Sequence, residues 1–325
     1  MRTPGIWTAL LAFGMGAVSA TAAQAQAYPA KPIKMIVPIG AGSLTDIVGR
    51  AVAQGVSQAF GQPIVADNRA GANGTIGMEE CMRSPADGYT ICMTDGNIMT
   101  LNPHAYTRLP YDPNAFVPVA HLAELEVQTV AKASLPIKNL RELIDYAKTR
   151  PGQINWGSAG AGSTMHLIME WMQAKTGAKF NHIPYKGPAQ LQAAIAAGEV
   201  DVTNLAPAAV AGYVKEGRIK PIGIIVGKRR SQFAGDTPTY SEQGFDLDFR
   251  NWLAIVLPPK TSTDISRRWN TEINKLLSDN AFVTKFLYAN ALTPTGGTPE
   301  DLVTIMQAKS RLGAELAKIA NLKYD

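Results

Sequence analysis

Apolar positions along the chain fall into two kinds of segment: short unbroken runs, and longer stretches with helical spacing. Residues 33–37 form an apolar run that predicts a strand. Small residues fill 38–44. A helix is expected over 45–60, where Val48, Val52, Val56 and Phe60 recur at i, i+4. Gly61 suits the end of that helix, and Pro63 forbids its continuation. Residues 64–66 read as the next strand, 78–82 as helix and 89–93 as strand. Strands alternating with helices argue for a parallel, doubly wound sheet.

A second series begins near Val127. Strands are expected over 127–131, 154–156, 200–204 and 221–226. Helices are expected over 140–149, with Leu143, Ile144 and Ala147 on one face, and over 164–175, which carries Leu167, Ile168, Trp171 and Met172. Further helices are expected over 191–197 and 265–277, and 299–319 reads as one long helix or two short ones. A strand–glycine loop–helix unit therefore occurs twice, around 33–60 and around 154–175. The first turn of a helix carries unpaired N–H donors and a partial positive charge, which makes each unit an anion site. Two such units in two halves suggest a cleft that grips from both sides.

The first residues place the chain in a compartment. Arg2, an apolar run over 6–18, and the small-x-small patterns Ala23-Gln24-Ala25 and Ala25-Gln26-Ala27 read as a secretory signal peptide over 1–27. The alternative is an N-terminal membrane anchor, but the run is shorter than the roughly 20 apolar residues a spanning helix needs. The remainder is long enough for one large domain or two medium ones. A net charge of +5 suits an anionic small ligand. Nucleic acid is not expected, since the one basic cluster, Lys228-Arg229-Arg230, reads as a solvated surface run. Cys81 and Cys92 are either a disulfide, which the periplasm permits, or two buried free thiols. Together with four scattered histidines they show no metal-ligand spacing.

No catalytic constellation stands out. Gly40-Ala41-Gly42 follows a strand, but the third glycine of a dinucleotide fingerprint falls on Thr45. Ser43 and Ser158 lie in glycine loops without the G-x-S-x-G context. His166 follows Ser158 by eight residues, which suggests either a Ser–His pair or two groups lining a polar pocket, and the second reading is preferred. Asp46 reads as a helix-terminal acid.

An ordered set of segments then carries a resemblance. It comprises Tyr28-Pro29-Ala30-Lys31-Pro32-Ile33 with Val37-Pro38, Asn68-Arg69-Ala70-Gly71-Ala72-Asn73-Gly74, and Asp87-Gly88-Tyr89-Thr90. Asn102-Pro103, Leu109-Pro110-Tyr111-Asp112, Pro151-Gly152-Gln153 and Ser158-Ala159-Gly160 follow. Pro184-Tyr185-Lys186-Gly187 and Gly296-Gly297-Thr298-Pro299-Glu300 complete it. With these segments the whole chain beyond residue 27 resembles the receptor proteins of tripartite tricarboxylate transporters, the Bug family. The resemblance implies a type II periplasmic-binding α/β fold with two doubly wound lobes and a hinged cleft. Lobe 1 would span 28–125 plus 251–325, and lobe 2 would span 126–250. It implies a monomeric periplasmic binding protein, not an enzyme, that needs no cofactor and delivers a small organic carboxylate to membrane permease subunits. A role as ligand sensor for a sensor kinase stays open beside it, as does, more remotely, a serine hydrolase.

Carried onto this chain, the family's carboxylate-binding loops name Gly42, Ser43, Thr45 and Asp46 on one side. On the other they name Ser158, Ala159, Gly160, Ser163, Thr164 and His166. Asn73, Thr94, Asn97 and Asn204 are further polar candidates, with turn or capping roles as the alternative for each Asn. The chain departs from the family at Ser43 and Leu44, where glycines are usual, and no acid occurs around Asn204-Leu205-Ala206-Pro207. Leu44 would add apolar surface near the ligand, and the missing acid disfavours an ammonium group. An aromatic dicarboxylate such as terephthalate fits that description.

Overall fold

The protein is described by a computed structural model that covers residues 28–226, 231 and 233–324. The expected signal peptide and the run Lys228-Arg229-Arg230 lie outside the described residues. The first series comprises β1 (Ile33–Val37), α1 (Leu44–Phe60), β2 (Ile64–Asn68), α2 (Thr75–Arg83), β3 (Thr90–Asp95), the short α3 (Asn102–Ala105) and β4 (Val117–Leu125). The second comprises β5 (Val127–Lys132), α4 (Leu140–Lys148), β6 (Asn155–Ser158), α5 (Thr164–Thr176), β7 (Asn181–Pro184), α6 (Pro188–Ala197), β8 (Val202–Leu205), α7 (Pro207–Lys215) and β9 (Ile219–Ile225). The chain then returns through β10 (Trp252–Leu257), α8 (Thr263–Ser278), α9 (Asn280–Phe282), β11 (Leu292–Pro294) and α10 (Pro299–Ile319).

Two sheets result, with strand orders β11-β4-β10-β3-β1-β2 and β7-β6-β8-β5-β9. The expectation of a parallel sheet holds for only part of each. β2, β1 and β3 are parallel, as are β7, β6 and β8, whereas β10 runs antiparallel to β3 and β4, and β5 runs antiparallel to β8 and β9. The reason is the path of the chain. β4 leads directly into the second sheet at β5, and β10 is the return strand, so both enter without a crossover helix. β10 is buried throughout and β4 along its middle, and neither carries a polar alternation that would have marked it beforehand.

Helices cover both faces of the first sheet. Val48, Val52 and Val56 of α1 join Trp269 and Ile273 of α8 on one face, and Met78 of α2 meets Leu302 of α10 on the other. The second sheet is packed by Leu143, Ile144, Leu167 and Ile168 on one side and by Leu191, Ile195 and Val210 on the other. α10 is a single helix opened by a Thr298/Asp301 capping box. Its start packs on the first sheet's core, while Leu316 and Ala317 near its end join the second's. It thus touches both bodies. Cys81 of α2 and Cys92 of β3 form a disulfide, which resolves the two readings of that pair. Between the sheets the chain passes through Glu126 and again through the stretch before Trp252. There Arg250, which is 8% exposed, pairs with Glu124 and Asp248, and Lys309 of α10 bonds Asp248 at 3.0 Å.

Candidate functional site

The two glycine loops leave the C-terminal ends of parallel strands β1 and β6, the edge of an open α/β sheet where ligands bind. They are close copies of one another. Gly40-Ala41-Gly42-Ser43 and Gly160-Ala161-Gly162-Ser163 share one tetrapeptide. In each, the serine N–H donates to the first glycine's carbonyl at 3.2 Å. Gly42 and Gly162 sit at φ +79° and +77°, a left-handed conformation that glycine adopts without strain. Ser43 and Ser163 then cap the helices: Ser43 Oγ accepts from Asp46 N at 3.2 Å and Ser163 Oγ from His166 N at 3.4 Å. The next residues, Leu44 and Thr45 in one loop and Thr164 and Met165 in the other, keep N–H groups with no acceptor among the described residues. Each loop is therefore an open pair of donors at the positive end of a helix dipole, the arrangement that holds a carboxylate.

A fourth residue locks each loop from behind. Asp46, 4% exposed, accepts from Gly42 N, Arg50 Nε and Asn68 Nδ2, all at 2.9 Å. Burial alone would raise its pKa, but the bonds from Arg50, Gly42 and Asn68 outweigh burial and hold the carboxyl below the usual carboxylate range. In the second loop Gly162 N donates to His166 Nδ1 at 3.1 Å. His166 stacks on His182, ring centroids 4.4 Å apart, and its Nε2 lies 3.6 Å from Glu170. Burial lowers the pKa of His166. It also lowers that of His182, where His166 adds to the effect and Glu170 opposes it. Asp46 and His166 therefore shape the loops, with their inward atoms already used.

The other expected residues separate into groups. Ser158 is fully buried at the end of β6. Its Oγ is hydrogen-bonded to His182 Nε2 at 2.6 Å and accepts from Gly160 N at 3.0 Å. The suggested Ser158–His166 pair is thus not formed: parallel pairing of β6 with β7 brings His182 beside Ser158, while His166 turns to Gly162. Gly160 has open space in front of it, with Tyr185 O 3.9 Å from where a β-carbon would sit, and Ala159 lies beside it in the same turn. Leu44 is half-buried and packs on the first sheet's core, so only part of its side chain remains for a ligand. Thr45 is buried.

Thr94 and Asn204 are fully buried near the C-terminal ends of β3 and β8, beside β1 and β6. Asn204 Nδ2 donates to Thr129 Oγ1 at 2.8 Å, but Asn204 Oδ1 and Thr94 Oγ1 have no partner among the described residues. Buried polar atoms without a partner call for an explanation, and a bound ligand or water supplies one. Asn97 begins a π-helical turn over Asn97–Leu101 and is half-buried. Asn73 takes a left-handed turn conformation, φ +52°, and its Nδ2 donates to Tyr106 Oη at 3.2 Å, which matches the turn role weighed for it. Sequence reasoning missed His182, Arg50, Tyr106, Tyr324 and the open N–H of Met165. The shared tetrapeptide was the signal that could have placed Met165.

Comparison with known proteins decides the family. The profile described as tripartite tricarboxylate transporter family receptor matches residues 48–322. The chain belongs to that family. Protein BugT of Bordetella pertussis is 33% identical over 281 residues, 85% of each chain. The structure of Rpa4515 from R. palustris with adipate superimposes with a TM-score of 0.76 at 30% identity, covering 91% of this chain and 99% of that one. A TctC solute-binding protein from Polaromonas gives 0.80 at 25% identity, covering 90% and 99%. This family member therefore has the two-lobed α/β fold of periplasmic binding proteins, with its glycine loops at the matching strand ends of the two lobes. Among the described residues no helix is long and apolar enough to cross a membrane.

Proposed function

We propose that this receptor is exported to the periplasm, closes its two lobes over a small organic carboxylate and delivers it to the membrane permease of its transporter. The observation that carries the reading is the pair of matched helix starts, each with two open N–H donors and each locked from behind. A neutral ligand would leave those donors and the helix dipoles poorly used, whereas a carboxylate accepts from both donors of a pair. Lobe closure about the two connections, with 28–125 plus 251–325 moving against 126–250, brings the pairs onto one ligand.

Two anion sites favour an acid with a carboxylate at each end. The relative from R. palustris holds adipate, an acid of that kind. Terephthalate has the same end-to-end arrangement on a rigid ring. The half-buried Leu44 offers its remaining apolar surface to such a body, and the stretch 204–207 offers no acid to attract an ammonium group. A thermal-shift screen over aliphatic and aromatic carboxylates tests the reading, because a ligand that binds only the folded state raises its melting point. Shifts by dicarboxylates that exceed those by amino acids support it; no shift by any organic anion overturns it. Replacing Ser158 by a bulky residue should abolish the shift by displacing the Gly160 turn.

A further inference from the structure

The second loop differs from the first in one respect. Open space faces Gly42, and nothing lies within 4 Å of where a β-carbon would sit. At Gly162 the same position lies 1.8 Å from Tyr324 Oη. The phenol of a residue beyond α10 is therefore seated on the second loop, and only glycine leaves room for it.

The backbone of Tyr324 is held at the end of α3. Its N–H donates to Ala105 O at 2.7 Å, and its carbonyl accepts from Thr107 N at 3.0 Å. Its ring meets Tyr106 edge-on, with centroids 5.1 Å apart. Tyr106 Oη in turn donates to Ala72 O at 2.9 Å and accepts from Asn73. A ladder thus runs from the Ala72–Asn73 turn of lobe 1 through two tyrosines to Gly162 of lobe 2. The ring of Tyr324 is half-buried, and its hydroxyl has no hydrogen-bond partner among the described residues.

We propose that Tyr324 is a specificity-determining residue of the cleft, whose hydroxyl donates to the carboxylate end bound at the second loop and whose ring limits the length of the acid. The proposal rests on the carboxylate-receptor reading above. Three features support it. The hydroxyl sits at the loop whose Thr164 and Met165 N–H groups are open. A phenol O–H that no described residue accepts from is available to donate to a ligand. Burial, with Tyr106 adding to it, also pushes the phenol pKa above its usual value, so the group stays protonated and donating throughout the physiological range.

The test is calorimetric titration of the wild-type chain, Tyr324→Phe and Tyr324→Ala with one series of straight-chain dicarboxylates of increasing length plus terephthalate. Melting curves check that each variant folds. The Phe variant keeps the ring and should lose about tenfold in affinity for the best acid, the loss expected for a hydrogen bond to a charged group. The Ala variant should also shift the preferred chain length upward, because the wall is gone. Affinities and length preference unchanged in both variants, with wild-type binding intact, overturn the role of Tyr324 and leave the receptor reading standing. Wild-type protein that binds none of the acids overturns both.

Discussion

Gly162→Ala and Gly42→Ala form a matched pair whose difference can be worked out from the structure. Both glycines have nearly the same left-handed backbone, φ +77° and +79°, so each alanine meets the same strain, roughly 1 kcal/mol. At Gly42 the added methyl enters open space and the cost ends there. At Gly162 it falls 1.8 Å from Tyr324 Oη, and the ring must leave. Its departure forfeits the edge-on contact with Tyr106, worth about 0.5–1.5 kcal/mol for an aromatic pair. Gly162→Ala should therefore cost about 1.5–2.5 kcal/mol, and Gly42→Ala about 1 kcal/mol. Urea unfolding of the two variants reads the difference. Repeating Gly162→Ala in a Tyr324→Ala background should remove the excess and give a coupling of roughly 1 kcal/mol. Equal costs at the two glycines, or no coupling to Tyr324, would refute the reasoning.

Three other outcomes follow from the groups that lock the loops and staple the first lobe. Asp46→Asn turns an amide N–H₂ toward donors that need an acceptor. Discounting Arg50, which is half-exposed, it should destabilise the protein by roughly 1–3 kcal/mol and weaken ligand binding, as unfolding and titration would show. The depressed pKa of His166 means that the unfolded chain takes up its proton first. Stability should therefore be full above the ordinary value of 6.5 and fall as pH drops below it, and His166→Asn, which keeps an acceptor for Gly162 N, should flatten that slope. His182 and Glu170 face the same ring and remain in the variant, so identical slopes in the two proteins would refute the assignment to His166. Reduction of Cys81–Cys92, which closes a short loop, should cost about 3 kcal/mol in denaturant unfolding, and unchanged stability would contradict the chain-entropy account.

Local pattern revealed the units that position the site and little of what crosses between them. Apolar runs and i, i+4 spacing located β1 with α1 and β6 with α5, because each unit is continuous in sequence. β10, buried throughout, and β4, buried along its middle, escaped notice because a buried run has no alternation, and their antiparallel entry depends on where the chain returns. The pairing of Ser158 with His182 depends on register between β6 and β7, which no spacing rule reports. Asn204 sat among the expected residues, yet its bond to Thr129 comes from the partner strand β5. Tyr324 is the extreme case. It lies far from Gly162 in sequence and reaches it only because α10 packs on both sheets.

The most direct test of the account is the stoichiometry and selectivity of acid binding by the wild-type chain in calorimetric titration. Adipate, terephthalate and their mono-acid counterparts supply the comparison. Two opposed carboxylate sites predict saturable one-to-one binding of a dicarboxylate, with each mono-acid weaker by about tenfold or more for the lost charged contacts. Equal affinity for mono-acids and dicarboxylates would contradict the use of both loops, and no binding by any of them would contradict the receptor reading itself.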